Sequence, residues 1–393
     1  MNKDTTEAVQ KLLASPQKVV IVGHKNPDGD AVGSCLGLSF FLKSLGHNAT
    51  VVMPNDFPDF LKWLPGCEEI IIYEKEVQNT NEIFENAGLI FTLDFNSLDR
   101  VGGELQVVLE KTTAKFVMID HHQQPADYAV ATYSDVKMSS TSEMVYHFMD
   151  ALGQADKISK EIAINLYTGI MTDTGSFRFS STSPTTHRVA AKLIEAGAES
   201  AIINQNVYDT NSPERMKLLG VALNNLVILP EMHTAYITLT QKELDDHNFK
   251  KGDTEGFVNY ALSVKGVVFA VIFIENKQEN LVKISFRSKG DFSVNDFARN
   301  HYNGGGHINA AGGKSSQDLN KTISEFISIL PRYKRTYRCF ISRFIVYSFL
   351  HFLLAVKVLR PDDQSKATRV LLLKNLLSAI KKSTTRRKVL LKN

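Results

Sequence analysis

VVIVGHKNPDGDAVGS, residues Val19–Ser34, decides how this chain folds. An unbroken apolar run leads into Gly23, as expected of a strand covered on both faces. His24, Asp28 and Asp30 then follow within seven residues, and a helix-like pattern opens at once. The pattern predicts a helix that runs to Leu45 and stops at Gly46, with Asp30 as its cap. Open α/β sheets bind ligands beyond the carboxyl ends of their strands. Three potential metal ligands therefore leave one strand where a ligand would sit.

Two further apolar runs end in the same way. GLIFTL (Gly88–Leu93) runs into Asp94, and KFVMI (Lys115–Ile119) runs into Asp120, His121 and His122. Shorter strands are predicted at 50–53 and 69–73. Strands alternating with helical patterns give an α/β chain with a mostly parallel, doubly wound sheet, placed here in a first domain, residues 1–190. Residues 140–173 read as helical and end at Asp173, an acid where the helix dipole disfavours one. After the turn-rich FSSTSPTTH (Phe179–His187), helices are predicted at 188–196 and 213–223, and 191–228 reads as a helical linker. A second, smaller α/β domain, 229–333, is predicted to hold strands at 233–240, 267–275 and 281–288. It also carries the glycine loop NGGGHINAAGG (Asn303–Gly313) and a last helix at 319–330. The active site is expected in the cleft between the two domains.

The strand-end acids and imidazoles define the chemistry. His24, Asp28, Asp30, Asp94, Asp120, His121 and His122, with Asp173, bring many carboxylates to one sheet edge, where they repel unless cations neutralise them. Taken singly, Asp28 and Asp30 read as turn and capping residues and Asp94 as a strand-end acid. Together they read as ligands. Oxygen-rich sets with one or two imidazoles suit Mn²⁺ or Mg²⁺ better than thiolate-seeking metals, with Zn²⁺ left open. Two such ions about 3.5–4 Å apart can make hydroxide available at neutral pH and clamp an in-line phosphoryl displacement.

Charge narrows the partners. The whole chain of 393 residues has a net charge of +3, yet 16 of its 45 Lys and Arg and only two of its 42 acids lie after Leu330. The first 330 residues carry a net −11. An acidic body is a poor match for long duplex nucleic acid, so a nucleic-acid substrate should be small and locally held. Cys35, Cys67 and Cys339 have neither metal nor disulfide spacing, and the N-terminus lacks the apolar core of a signal peptide. Both features predict a cytoplasmic setting. The segment 334–393 is a basic and apolar extension. Its FIVYSFLHFLLAV (Phe344–Val356) is shorter than the ~20 residues of a membrane span. With KKSTTRRK (Lys381–Lys388) it reads either as a membrane-surface segment or as an extension of altered reading frame.

HKNPDGDAVGS, LDFNSLDR, IDHHQQP and TGIMTDTGSFRF resemble, in order and spacing, the four motifs of the DHH phosphoesterase superfamily. NGGGHINAAGG resembles the glycine-rich signature of the DHH-associated domain, and FRFSSTSPTTH (Phe177–His187) that of the bacterial nanoRNase/pAp phosphatase branch. The resemblance covers residues 18 to about 330. It implies two manganese ions, or Mg²⁺ or another divalent ion. One would be held by His24, Asp28 and Asp94, the other by Asp30, Asp94, His121 and Asp173. His122 would face the scissile phosphate as proton donor or charge stabiliser, with Asp120 orienting the histidine pair from behind. Arg287, Ser288, His307 and the backbone N–H groups of Gly304, Gly305 and Gly306 would grip the far end of the substrate. Arg178 reads either as a surface charge or as a phosphate contact at the catalytic centre.

The function so implied is hydrolysis of very short oligoribonucleotides to 5′-mononucleotides and of 3′-phosphoadenosine 5′-phosphate to AMP. Partners would be short single-stranded RNA and nucleotides, with a homodimer left open. Phosphodiesterases of linear or cyclic dinucleotides such as pApA share these motifs. Inorganic pyrophosphatases share the first half but lack the GGGH loop. A regulatory nucleotide-binding protein would not need so complete a ligand set.

Overall fold

In the computed structural model, which describes residues 1–333, six strands form a wholly parallel sheet. They are β1 (Lys18–Val22), β2 (Asn48–Met53), β3 (Ile71–Ile72), β4 (Leu89–Leu93), β5 (Lys115–Asp120) and β6 (Ala131–Ser134), in the order β3-β2-β1-β4-β5-β6. The order reverses between β1 and β4. At such a switch point the strand ends splay apart and leave a crevice. That crevice is where His24 and Asp94 emerge.

The strands are apolar because both faces are covered. Val19 and Ile21 pack into a core with Val32, Leu36, Met144 and Leu166, whereas Val20 and Val22 pack on the other face with Phe84, Leu105 and Leu109. Such burial contributes about 1.5–3 kcal/mol per large apolar side chain. On the first face the Gly29–Ser44 helix lies against the Lys160–Asp173 helix. A Cβ on Gly33 would stand 2.5 Å from the Asn165 carbonyl oxygen and 3.1 Å from the Gly169 nitrogen. Both are backbone atoms and cannot rotate away. Gly33→Ala should therefore lower the unfolding free energy by about 1–3 kcal/mol, despite alanine's better helix propensity. Urea denaturation reads this directly, and an unchanged midpoint would refute the close crossing.

A second, mixed sheet follows. It contains β7 (Val227–Leu229), β8 (Thr234–Leu239), β9 (Phe269–Asn276), β10 (Leu281–Ser288), β11 (Gly305–Gly306) and β12 (Ala310–Ser315), ordered β11-β12-β10-β9-β8-β7. Only β8 and β9 run parallel. Phe269, Phe286, Phe297 and Phe326 interlock edge-on or stacked beneath it, with ring centroids 5.0–6.2 Å apart. Residues Met1–Pro331 pack as one compact unit.

Several predicted elements shift. Asp28, not Asp30, caps the Gly29–Ser44 helix, its Oδ1 accepting from the N–H groups of Asp30 (3.0 Å) and Ala31 (3.1 Å). Asp30 sits inside the first turn, which frees its carboxylate for other partners. The 69–73 strand shrinks to Ile71–Ile72, because 3-10 turns at Cys67–Glu69 and Tyr73–Lys75 take up its ends. The helical stretch 140–173 is two helices, Thr141–Ala151 and Lys160–Asp173, broken at Gly153 (φ 70°) and restarted by the Ser159 cap. Between the sheets run three helices, Pro184–Glu195, Ser200–Tyr208 and Pro213–Asn224. No helix among the described residues is long and apolar enough to cross a membrane. The extension 334–393, and with it the membrane-surface expectation, lies outside the described residues.

Candidate active site

The carboxyl ends of β1, β4 and β5 bring most of the expected ligands to one point. His24 Nδ1–H donates to the Lys25 carbonyl (2.9 Å), and its Nε2 faces Asp94 Oδ2 at 3.5 Å and Asp28 Oδ2 at 3.8 Å. Asp94 follows β4 in a left-handed turn (φ 66°) and is almost wholly buried. Its Oδ1 lies 3.4 Å from His121 Nε2 and 3.7 Å from His122 Nδ1. His121 Nε2 also stands 3.6 Å from Asp173 Oδ2 and 3.8 Å from Asp30 Oδ2. Asp120, fully buried, holds His122 Nδ1 at 2.7 Å through Oδ1, and its Oδ2 has no hydrogen-bond partner.

Electrostatics show a cluster that is short of positive charge. Burial and the neighbouring Asp94 and Asp173 carboxylates push Asp30 well above the ordinary range. Burial likewise raises Asp173 to about 6, against the pull of His121. Burial works against a charge on His24 and on His121, but the carboxylates around them win. His24 rises to about 9, and His121 is raised too. Asp94 goes the other way: the two imidazoles on its oxygens outweigh burial and hold it well below the ordinary range. Without other cations the cluster must borrow protons as counter-charges. Among the described residues four groups of side chains lie close enough to hold a metal ion: His24–Asp28–Asp94, Asp30–Asp94–His121, Asp94–Asp120–His122 and His121–His122–His307. The first two, which contain the expected ligands, share Asp94. The donor set of these two, two carboxylates with one imidazole per group, fits hard divalent cations.

The second sheet meets this cluster through the glycine loop. The His307 ring lies 4.3 Å from that of His122 and 4.6 Å from that of His121, centroid to centroid. Burial first, then the two imidazoles, keep His307 well below its usual pKa, so it is neutral. The Arg287 guanidinium bonds the Phe286 carbonyl (3.0 Å), while its Nε is buried with no partner. Glu255 shares this wall. It is solvent-exposed but hemmed in by protein, which together with Asp28 pushes its carboxyl to about 7 against Arg287 and Arg215.

Other expected contacts are arranged differently. Gly304 donates to the Ala298 carbonyl (3.2 Å) and Gly306 to Asn295 Oδ1 (2.9 Å), so two of the three amides expected to face phosphate are committed within the loop. Gly305 lies in the β11–β12 pairing opposite Gly312. Glycine is required at 304 by close approach, because a Cβ there would lie 2.0 Å from the Gly312 carbonyl oxygen. The Ser288 hydroxyl donates to the Phe292 carbonyl (2.6 Å) and accepts from Asn309 (2.8 Å), which shapes the turn beside Arg287. Arg178 is exposed, bonded to the Gly175 carbonyl (3.0 Å) and lying 5.7 Å from the Phe179 ring.

Three participants carried no recognised signal in the sequence. Thr141 and Ser142 bond the Asp30 and Asp94 carboxylates. Asn295 donates to Gln123 Oε1 (3.1 Å), tying the residue after His122 to the glycine loop. The run Ser139–Glu143 ahead of an apolar helix is a capping signature, and it could have marked the first pair.

A doubly wound sheet with a buried acid–imidazole cluster at its switch point, faced by a second sheet's histidine and arginine, defines a metal-site α/β hydrolase architecture. The model of the DHH family, N-terminal domain, matches residues 18–170, and that of the DHHA1 domain matches 231–331. The bifunctional oligoribonuclease and PAP phosphatase NrnA of Thermus thermophilus is 33% identical over 77% of this chain and 85% of its own length. The Bacillus subtilis protein of the same name is 28% identical over 75% and 88%. An exopolyphosphatase-related protein from Bacteroides fragilis superposes with a TM-score of 0.82 at 37% identity, over 86% of this chain and 98% of its own. The chain belongs to the DHH family.

Proposed function

We propose that the chain is a divalent-metal-dependent phosphoesterase. It hydrolyses very short oligoribonucleotides to 5′-mononucleotides and converts 3′-phosphoadenosine 5′-phosphate to AMP. The observation that carries this reading is the pair of ligand groups sharing Asp94, with the His122 and His307 rings 4.3 Å apart beside them. The naming of its relatives in Thermus thermophilus and Bacillus subtilis supports the choice of substrate.

In this reading two Mn²⁺ ions, or Mg²⁺ or another divalent ion in their place, are held by His24, Asp28 and Asp94 and by Asp30, Asp94, His121 and Asp173. Such ions supply hydroxide at neutral pH and neutralise charge on a phosphoryl oxygen. The side chains do the rest. Asp120 holds His122 at Nδ1 and reserves Nε2 for passing a proton to the leaving oxygen. Arg287 offers its unpartnered Nε–H to a substrate phosphate, and neutral His307 offers a hydrogen bond rather than a charge. Ser288 and the glycines Gly304, Gly305 and Gly306 hold the shape of this wall. Arg178 contacts phosphate from the rim. Metals and a few local donors supply all the positive charge, so only short single strands and nucleotides are served, in the cytoplasm. The matching division is a catalytic domain at 1–190, a helical linker at 191–228 and a substrate-binding domain at 229–333.

The test is a manganese-supplemented panel of a dinucleotide, long single-stranded RNA, 3′-phosphoadenosine 5′-phosphate and pApA. Dinucleotide turnover should exceed that of long RNA by about tenfold or more, because a closed wall rejects what cannot fit. Equal rates on short and long RNA would overturn the reading. Turnover of pApA alone would reassign the chain to dinucleotide breakdown.

A further inference from the structure

The helix Thr141–Ala151 aims its first turn at the acid cluster. Ser140 caps it by accepting from the Glu143 N–H (3.0 Å). The next N–H groups have no partner inside the helix. They donate to a single carboxylate: Thr141 N–H to Asp30 Oδ2 at 2.6 Å, and Ser142 N–H to Asp30 Oδ1 at 2.8 Å. The positive end of the helix dipole thus faces the Asp30 carboxyl group. The Thr141 hydroxyl reaches a different acid, Asp94 Oδ1, at 2.9 Å. One residue therefore touches both acids, Asp30 through its backbone and Asp94 through its side chain, and all three are buried.

The approach is built in. A Cβ on Gly169 would lie 2.0 Å from Ser142 Oγ and 2.9 Å from Asp30 Oδ1, so only glycine lets this helix end come so near. The same first turn is pinned from behind. Buried Glu143 accepts from the Ser139 N–H (3.3 Å), the Ser139 hydroxyl and the Thr186 hydroxyl (2.9 Å), the last on the Pro184–Glu195 helix. Any residue but proline at 141 would supply the backbone bond to Asp30. Only a hydroxyl reaches Asp94, whose Oδ1 lies toward Asp30 and His121 and whose Oδ2 lies toward His24.

We propose that the Thr141 hydroxyl is a positioning group that fixes the rotation of Asp94, so that its two oxygens serve the two ligand groups at once. This rests on the metal-dependent reading above and adds a determinant of ion affinity to it. Partners behind metal ligands commonly change affinity by about 10–100-fold when removed. The test titrates the full-length protein, freed of metal, with Mn²⁺ by calorimetry, and compares Thr141→Val with Thr141→Ser. Valine keeps the shape and loses the hydroxyl; serine keeps the hydroxyl. The proposal expects valine to weaken Mn²⁺ binding by about tenfold or more, and serine to bind within about threefold of the parent. Thr141→Ala takes the place of the valine variant if that protein does not fold, as judged by its metal-free unfolding transition. Equal Mn²⁺ affinity in the parent and a folded hydroxyl-free variant overturns the positioning role alone. A parent protein that takes up no divalent ion overturns both this role and the metal-dependent reading.

Discussion

Asp94→Asn is expected to lower kcat/KM on short RNA by about 10³-fold or more, equivalent to ~4 kcal/mol of barrier, while leaving the protein folded. The fold survives for a local reason. Asp94 sits at φ 66°, a left-handed conformation that asparagine tolerates and most other side chains resist. An alanine there would mix backbone strain into the result. The amide oxygen can still accept from the Thr141 hydroxyl, and the amide nitrogen would meet His24 Nε2 where a carboxylate oxygen stood 3.5 Å away. What disappears is the charge. Asp94 is the one acid common to both candidate ligand groups, so its neutralisation weakens each of them at once. Steady-state hydrolysis with saturating Mn²⁺, together with metal analysis of the purified variant, checks this. Activity within tenfold of the parent would remove Asp94 from the proposed centre.

The loss should be larger than that from any residue serving one group, and this asymmetry follows from topology. Asp94 ends β4 and His24 follows β1, on either side of the switch point, whereas His121 follows β5 one strand further along. A residue on β4 is the natural bridge between them. That much was legible in the sequence, because each apolar run stopped at its ligand and a parallel sheet aligns such stops. The sheet order itself was not needed to see the convergence.

What the sequence concealed was contact between distant segments. Thr141 lies 111 positions from Asp30, and a threonine at the start of a helix looks like an ordinary first-turn residue. Its role depends on Gly169, on a third helix, leaving room for the approach. The misplaced cap has a similar cause. Asp28 and Asp30 both suit an N-cap, and only the first-turn geometry shows that Asp28 caps while Asp30 turns inward. The glycine loop misled in another way. Its glycines suggested amides open to phosphate, but hydrogen bonds to Ala298 and Asn295 consume two of those amides, and close approach to β12 explains Gly304 and Gly306 sterically.

Metal uptake should strengthen steeply with pH, because the metal-free cluster stores protons on the atoms a metal would need. Nε2 of His24 faces Asp94 and Asp28, and their carboxylates outweigh the cost of burial, so the group titrates near 9 rather than 6.5. His121 is raised by the same kind of neighbours. At pH 7 an arriving cation must therefore expel a proton from each imidazole, and each proton expelled makes apparent affinity rise about tenfold per pH unit. The metal-free protein should behave oppositely. A histidine whose folded pKa is raised contributes stability that is fully present below its unfolded value of 6.5 and is lost as pH climbs through about 9. For the buried His24 this amounts to up to about 3 kcal/mol. Asp173, raised to about 6, adds the same sign at lower pH, its stabilising proton being lost between roughly 4 and 6. Mn²⁺ titrations at several pH values between 6.5 and 9, in nitrogen-purged buffer, should thus show tightening affinity. Urea unfolding of the chelator-treated protein over the same range should show falling stability. Affinity that stays flat with pH would mean the imidazoles are already neutral. That result would refute the storage of protons on His24 and His121 and leave Asp30 and Asp173, both raised by burial, as the protonated members of the metal-free cluster.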